Sequence, residues 1–444
     1  MKAEGIKLRI LFLSHYFPPE VNAPASRTYE HCRQWVEAGH QVTVVTCQPN
    51  HPQGKVYPGY RNKLFQREMV DGIAVIRLWT WISANEGFIK RTLGYISYML
   101  MSILFCFSYG RNDVLISTSP QFFNGWAGYF VSRIKGIPWV LEIRDLWPES
   151  IVAVGAIKNR KIISMLERIE RFCYRKAEQV VVVTQSFKKH IQACGIPDDK
   201  IHVIYNGVDT SLFDPIKQRR DDEFSFSSGL PVSLLTQLQG KFVAAYIGTH
   251  GMAHGLNALL DAALLLKAED NIHILLVGDG AERSNLMARS EALGLSNVTI
   301  YGQVPRRNMP DIWSLCDVSL VLLKKSDLFK TVIPSKIFES MAMCKPIILG
   351  VEGEVKTIIE KSASGLCVEP ESPQQIAAAI TALNHSKKRC ASMGKAGAAY
   401  VLNNFDRKIL ARDFLDILLK TQDRGFHAKA ELSAKQKLPR QDAR

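Results

Sequence analysis

Three side chains in the stretch IPSKIFESMA (333–342) have the types and spacing to meet a phosphorylated ligand: Ser335, Lys336 and Glu339. Ser335 suits a helix N-cap, accepting a bond from a first-turn N–H. Lys336 can reach an anion at that helix start, where the backbone dipoles already favour negative charge. Glu339, one turn on, is also favourable near a helix N-terminus, and its carboxylate can accept hydrogen bonds from two neighbouring hydroxyls, as on a ribose. A capping pair is the plain alternative. The spacing from Ser335 to Glu339 is four residues, however, not the three of a capping box, which leaves the carboxylate for a ligand. Pyrophosphate on N–H groups and lysine, with ribose on glutamate, describes a nucleotide-sugar site.

Two glycine-rich turns have the same strand-to-helix setting. VGDG (277–280) ends one apolar run, and its small residues let backbone N–H groups approach a ligand. YIGTHGMAHGLNALL (246–260) ends another and brings His250 and His254 near one end of a sheet. It lacks the G-x-x-x-x-G-K-[ST] pattern of a Walker A loop. Glycine after a strand is often only a turn, and a lone histidine is often only packed. Two histidines around glycines at a helix start are better placed for ligand contacts.

These turns need parallel sheets to position them. Short β-branched runs alternate with helical patterns along the chain, the signature of α/β layering. In the first half, strands are expected at 8–14, 41–47, 73–79, 113–119, 139–145 and 179–185, with 201–209 closing the half. A charged, Ser/Gly/Pro-containing stretch marks a linker at 211–239. The alternation restarts with strands at 241–248, 272–280, 297–304 and 318–324. The reading is an N-terminal Rossmann-like domain at 1–210 and a C-terminal one at 240–395. A last helix follows at 396–420, then a disordered basic tail at 421–444. The length of 444 residues agrees with two domains.

The chain carries 56 Lys+Arg against 42 Asp+Glu, and the first 210 residues hold 26 against 17, so the excess lies in the first half. A one-sided excess favours an anionic partner such as a membrane surface or phosphate. No nucleic-acid motif accompanies it, so a nucleic-acid partner is not expected. Nine cysteines without a C-x-x-C pair point to reduced thiols, with no zinc site and no disulfide framework. The first residues lack the pattern of a signal peptide. The expected location is cytoplasmic. Residues 92–110 carry no charge and follow Lys90 and Arg91. Their length allows a membrane span, but the strand expected at 113 would then be cut off from its sheet. Two readings remain, a buried helix against the sheet and a helix dipped into the membrane interface.

Taken together, PSKIFESMAMCKPII, IGTHGMAHGL, VGDG and IYNGVD resemble the donor motif, phosphate loop, nucleotide-side strand end and interdomain crossing of the retaining glycosyltransferases of family 4. SHYFPPEVNAPASR (14–27) and EIRDLWPES (142–150) are similar to the subgroup that builds O-antigen and capsule, N-acetylfucosamine transferases among them. The resemblance implies an α/β GT-B fold, with two Rossmann-like domains facing a cleft and a C-terminal helix crossing back to the first. It implies transfer of a sugar, N-acetylated in that subgroup, from a UDP-linked donor to a polyprenyl-diphosphate-linked sugar. Transfer would proceed with retention and without metal or cofactor, on the inner face of the cytoplasmic membrane.

On the donor side the resemblance implicates Gly248, Thr249, His250, His254, Gly278, Gly280, Gln303, Val304, Ser335, Lys336, Ile337 and Glu339. On the acceptor or sugar side it implicates His15, Glu20, Asn22, Ser26 and Arg144. Asp145, Lys336 and Glu339 are the expected catalytic residues. The family's second glutamate, eight residues before Glu339, is Thr331 here. Its pyrophosphate-binding Arg and Lys are Thr249 and His254, and its His-Asp pair is Arg144-Asp145. Two other functions fit part of the pattern. A nucleotide-sugar 2-epimerase of the same fold would need neither the uncharged 92–110 stretch nor a basic first half. A non-catalytic nucleotide-binding protein would tolerate the substitutions at 249, 254 and 331.

Overall fold

The computed structural model describes residues 7–51, 53–82, 88–153, 157, 159–215 and 232–436. The chain forms two compact units, one of residues up to Tyr205 together with those from Lys408, the other Asn206–Arg407.

The first unit holds β1 (Arg9–Leu13), β2 (Gln41–Cys47), β3 (Phe65–Val70), β4 (Ile73–Leu78), β5 (Val114–Thr118), β6 (Trp139–Ile143), β7 (Gln179–Val182) and β8 (Ile201–Val203). They form one sheet in the order β3-β4-β2-β1-β5-β6-β7-β8. Its helices are α1 (Ala23–Glu37), α2 (Phe88–Ser108), α3 (Asn124–Lys135), α4 (Glu149–Ala153), α5 (Arg160–Lys176) and α6 (Gln185–Ala193). β5, β6 and β7 are buried along their whole length. That is why they read as continuous apolar runs rather than alternating ones, as parallel strands covered on both faces do.

The sequence pattern missed β3, the antiparallel edge strand. Its outward residues Phe65, Arg67 and Met69 are exposed, so no apolar alternation announces it. The turn Asp71-Gly72, with positive φ at both residues, is what joins it to β4.

α1 starts where Asn22 accepts a bond from the Ala25 N–H at 2.8 Å. Beneath it, Arg27 is buried and donates to Glu142 at 2.9 Å and to the carbonyls of Tyr205 and Ile204. α2 buries Tyr98, Ser102 and Cys106 but exposes Leu93, Leu100, Leu104 and Phe107. It is therefore not wholly buried. Among the described residues no helix is long and apolar enough to cross a membrane. None of the nine cysteines is in a disulfide.

The second unit holds β9 (Phe242–Ile247), β10 (Ile272–Val277), β11 (Val298–Tyr301), β12 (Val318–Leu322), β13 (Ile347–Gly350) and β14 (Gly365–Cys367). All pair in parallel, in the order β11-β10-β9-β12-β13-β14. α7 (Val232–Leu238), α8 (Leu256–Leu265), α9 (Arg283–Ala292), α10 (Met309–Ser314), α11 (Lys336–Ala342), α12 (Glu354–Ser362), α13 (Pro373–Asn384) and α14 (Lys387–Asn404) complete it. The chain runs outward from β9 to β11 on one side, then returns to start again at β12 beside β9. The order thus reverses between β9 and β12, and ligands of open α/β sheets bind outside the strand ends at such a switch point.

α14 ends at Asn404, and α15 (Arg407–Gln436) begins three residues later, so the single helix expected at 396–420 is two. α15 places Leu410, Phe414 and Leu418 in the core of the first unit, where Trp35 Nε1 donates to the Ala411 carbonyl at 2.8 Å. It continues to Gln436, well past Lys420, through residues expected to be disordered. That stretch has no proline and is rich in Ala, Lys, Glu and Gln, which propagate a helix once packing has nucleated it.

Candidate functional site

Three loops at the switch point of the second unit carry the donor-side residues. The first leaves β9 as Gly248-Thr249-His250 and reaches α8 through a short 3₁₀ turn at Met252–His254. The second is Gly278-Asp279-Gly280, between β10 and α9. The third leads from β12 to α11, where Lys336 and Glu339 sit.

The first two loops are packed backbone to backbone. The His250 N–H donates to the Asp279 carbonyl at 2.8 Å, and the Glu282 N–H to the His250 carbonyl at 2.9 Å. A Cβ on Gly278 would lie 1.9 Å from the Gly248 oxygen, and one on Gly280 would lie 2.5 Å from the His250 oxygen. Only glycine fits either place.

Lys336 crosses from the third loop to the first. Its Nζ lies 3.5 Å from the centre of the Tyr246 ring and would be 3.0 Å from a Cβ on Gly248. The Tyr246 hydroxyl donates to the Thr249 carbonyl at 2.8 Å, which fixes the ring. The same ring faces His250 and His254, with centroids 6.0 and 5.9 Å away.

The polar atoms gathered here are buried and lack hydrogen-bond partners: Lys336 Nζ, both ring nitrogens of His250, His254 Nδ1 and Arg283 Nε. Buried donors without acceptors are costly. Burial lowers the Lys336 ammonium from 10.5 to about 7, and nearby Glu339 opposes the shift. Burial also lowers His250 and His254 to about 4, helped by the positive charge of Lys336 on both and of Arg283 on His250. Every one of these shifts would be relieved by an anion. The arrangement can bind a phosphate or diphosphate, and it can stabilise negative charge as a phosphate leaves.

The structure therefore brings Gly248, Thr249, His250, His254, Gly278, Gly280, Lys336 and Glu339 together. It does not do so for the rest of the donor-side expectation. Ile337 is wholly buried in the core, and its N–H already donates to the Pro334 carbonyl at 3.2 Å. Val304 is likewise a core side chain, while Gln303 is exposed. Ser335 is exposed and already helical, and its side chain makes no capping bond. The capping reading fails because α11 is entered through helical backbone, whereas an N-cap needs an extended residue. Thr331 Oγ1 is bonded to the Leu328 carbonyl. Arg283 and Tyr246 escaped the sequence reading. The signals were an arginine three residues after Gly280, at the start of α9, and an aromatic residue two before Gly248.

In the first unit the expected acceptor-side residues hold the strand-end loops. Glu20 is buried, and its Oε1 accepts from the N–H groups of Asn50 and His51 at 2.8 and 2.9 Å. Asn22 caps α1, and Ser26 follows in its first turn. The Arg144 guanidinium donates to the carbonyls of Ala23 and Pro24. His15 is ringed edge-on by Tyr16, Tyr95 and Tyr98, and burial lowers it to about 3, with His51 adding to the shift. Asp145 lines a cavity of about 30 Å³ with Trp147, Phe122 and Glu170, and burial raises its carboxyl. Glu149, Glu170 and His190 bring ligand atoms within 4.8 Å of one another. Burial pushes the Glu170 carboxyl up to about 8, against the bond it accepts from Tyr174, beside the Glu149–His190 pair.

The fold is that of the GT-B glycosyltransferases. It is similar to sucrose-phosphate synthase of Thermosynechococcus elongatus, with a TM-score of 0.72 at 17% identity over 93% of this chain and 99% of that one. It is also similar to HepE of Anabaena in complex with UDP, with a TM-score of 0.64 at 16% identity over 93% and 100%. Residues 25–212 match Glycosyltransferase Family 4, and residues 236–400 match Glycosyl transferases group 1. The two matches together cover most of the chain, as the two domains of a GT-B glycosyltransferase. The probable glycosyltransferase WbjE of Pseudomonas aeruginosa is 26% identical over 61% of this chain and 66%, just under two thirds, of its own length.

Proposed function

We propose that this protein transfers a sugar, N-acetylated, from a UDP-linked donor to a polyprenyl-diphosphate-linked sugar, with retention of configuration. The product would serve bacterial surface polysaccharide synthesis. The observation that carries the reading is the buried, unpartnered ammonium of Lys336 among the unpartnered nitrogens of His250, His254 and Arg283. Such a cluster is matched to a diphosphate. HepE, of the same fold, is described with UDP and with UDP-glucose, which supports a uridine nucleotide here. A putative teichuronic acid biosynthesis glycosyltransferase of Bacillus subtilis, 24% identical over 47% of this chain, supports a polysaccharide product.

The departing diphosphate needs positive charge more than a strong nucleophile. Lys336 and Arg283 supply it without a metal ion, and the two neutral imidazoles can donate hydrogen bonds. Glu339 holds ribose hydroxyls. Asp145 orients the acceptor sugar. The enzyme works at the inner face of the cytoplasmic membrane, attached peripherally through the first unit.

The test is incubation with several UDP-sugars and a polyprenyl-diphosphate-linked sugar. Label on the lipid, with the anomeric configuration retained by NMR, is expected. Free epimerised nucleotide-sugar would instead establish the 2-epimerase. Tight UDP binding without turnover would establish a non-catalytic binder.

A further inference from the structure

The apolar stripe of α2 ends at an arginine-lined cavity, and the two together form one surface. Leu93, Leu100, Leu104 and Phe107 recur at helical spacing and are 47%, 51%, 67% and 73% exposed. The stripe is about 21 Å long at 1.5 Å per residue. It does not stand alone. The Phe65 ring of β3 lies 6.2 Å from Phe105 of α2, and exposed Met69 continues the same face of β3. Large exposed apolar patches mark interaction surfaces.

At the carboxyl end of α2, a cavity of about 390 Å³ is lined by Arg9, Arg67, Arg111, Thr43, Ser108 and Tyr109, among others. Its charged lining is entirely basic. Arg9 is held by Asp113 through two bonds of 3.1 and 2.6 Å. Arg67 lies over the Tyr109 ring at 5.9 Å, and neither it nor Arg111 has a carboxylate partner among the described residues. Lys135 donates to the carbonyl of Cys106 near the end of α2 and to those of Tyr109 and Gly110 just beyond it, which fixes the cavity wall.

We propose that this cavity receives the phosphate of an anionic phospholipid in a bilayer while the α2 stripe enters the interface beside it. The charge pattern selects this occupant. A protein partner for the stripe would leave two unpaired arginines at its edge, and a free phosphate would leave the stripe in water. A lipid surface satisfies both, because acyl chains and phosphates lie side by side at an interface. The proposal rests on the membrane-facing reading of the first unit and specifies the lipid and the contact.

The experiment is sedimentation of the full chain with phosphatidylcholine vesicles, with and without phosphatidylglycerol. Wild type should prefer the anionic vesicles. Arg67→Gln with Arg111→Gln should weaken that binding about thirtyfold, at roughly 1 kcal/mol per cation near the surface. Leu104→Ser with Phe107→Ser should weaken binding to both kinds of vesicle. All these side chains are exposed, so melting curves and UDP binding should not change. An unchanged preference for phosphatidylglycerol in the arginine variant overturns the proposal. So does calorimetric binding of inorganic phosphate to the cavity as tightly as vesicles bind, which would make it a soluble-anion site. Transfer to a short-chain, water-soluble acceptor, measured in parallel, separates the two readings. If transfer persists while the lipid preference ignores the arginines, only this inference falls. If no transfer occurs with any acceptor, the function itself is wrong.

Discussion

The ammonium of Lys336 rests 3.5 Å above the ring of Tyr246 and has no hydrogen-bond acceptor. A cation over an aromatic face recovers part of its lost hydration, but not all of it. The folded chain without ligand therefore carries an electrostatic cost that a structural lysine would have lost. Lys336→Met should remove this cost. The folded value of about 7 lies below the ordinary 10.5, so the unfolded chain binds more protons between those values and stability rises with pH across that window. The methionine variant should melt higher than wild type at pH 6, by about 2–4 °C per kcal/mol released. The difference should shrink by pH 10. A variant that melts lower at pH 6 would mean that the lysine stabilises the fold.

The same group should make donor binding pH-dependent. A bound diphosphate would hold Lys336 in its charged form, so binding above pH 7 must take up a proton. UDP affinity should fall by up to about tenfold per unit above pH 7. His250 and His254, lowered to about 4 in the free chain, should add any further gain only on the acid side of pH 7, where a bound diphosphate lets them take up protons. Calorimetry in buffers of different ionisation enthalpy would count the proton directly.

Most of this site was legible because its parts follow strands. Gly248, Gly278 and Lys336 each announce a strand-to-helix turn, and parallel topology puts such turns at one sheet edge. The packing between turns was not legible. Nothing in VGDG says that Gly278 abuts Gly248, or that Tyr246 would carry the lysine. Ile337 and Val304 were expected at the ligand from the resemblance, but both side chains are buried in the core. Glu20 and Arg144 have the chemistry of ligand contacts, yet backbone groups of neighbouring loops take both. β3 failed to register because an edge strand has one exposed face, where Arg67 and Met69 obey solvent and partner rather than core.

Gly278→Ala tests the loop packing. Its Cβ would meet a backbone oxygen at 1.9 Å, and backbone cannot rotate away as a side chain can. Overpacking of this kind costs about 3 kcal/mol. The melting temperature of the second unit should fall by about 6–12 °C. A mild loss, under about 1 kcal/mol, would show that the two loops separate readily.

Glu142→Gln tests the buried pair of the first unit. Burial alone would raise the Glu142 carboxyl, but Arg27 and Arg144 hold it below its ordinary value. A carboxylate with a depressed folded value gives stability that is present above its unfolded value and lost as pH falls through the folded one. The glutamine leaves Arg27 buried beside a neutral amide and should cost about 3–5 kcal/mol at pH 7. The loss should narrow as pH falls below about 4. Equal losses at pH 7 and pH 3 would mean that shape, not charge, matters at this position.

Glu339 separates binding from capping. The helix it belongs to is short, spanning Lys336–Ala342, and its N-cap position carries no side-chain bond. Glu339→Gln keeps the volume and the helix propensity but removes the negative charge that Lys336 senses. As a ribose acceptor, the carboxylate offers charge-assisted bonds worth about 1.5–3 kcal/mol each. UDP-sugar affinity should fall about ten- to a hundredfold, with the melting curve of the free protein nearly unchanged. Lys336→Ala should act differently, because its charge meets the leaving diphosphate. Its turnover rate should drop more than donor affinity does. A Glu339→Gln protein that melts several degrees lower, yet binds UDP as wild type does, would reduce the residue to a helix-end charge. The ribose would then have to be held by another group.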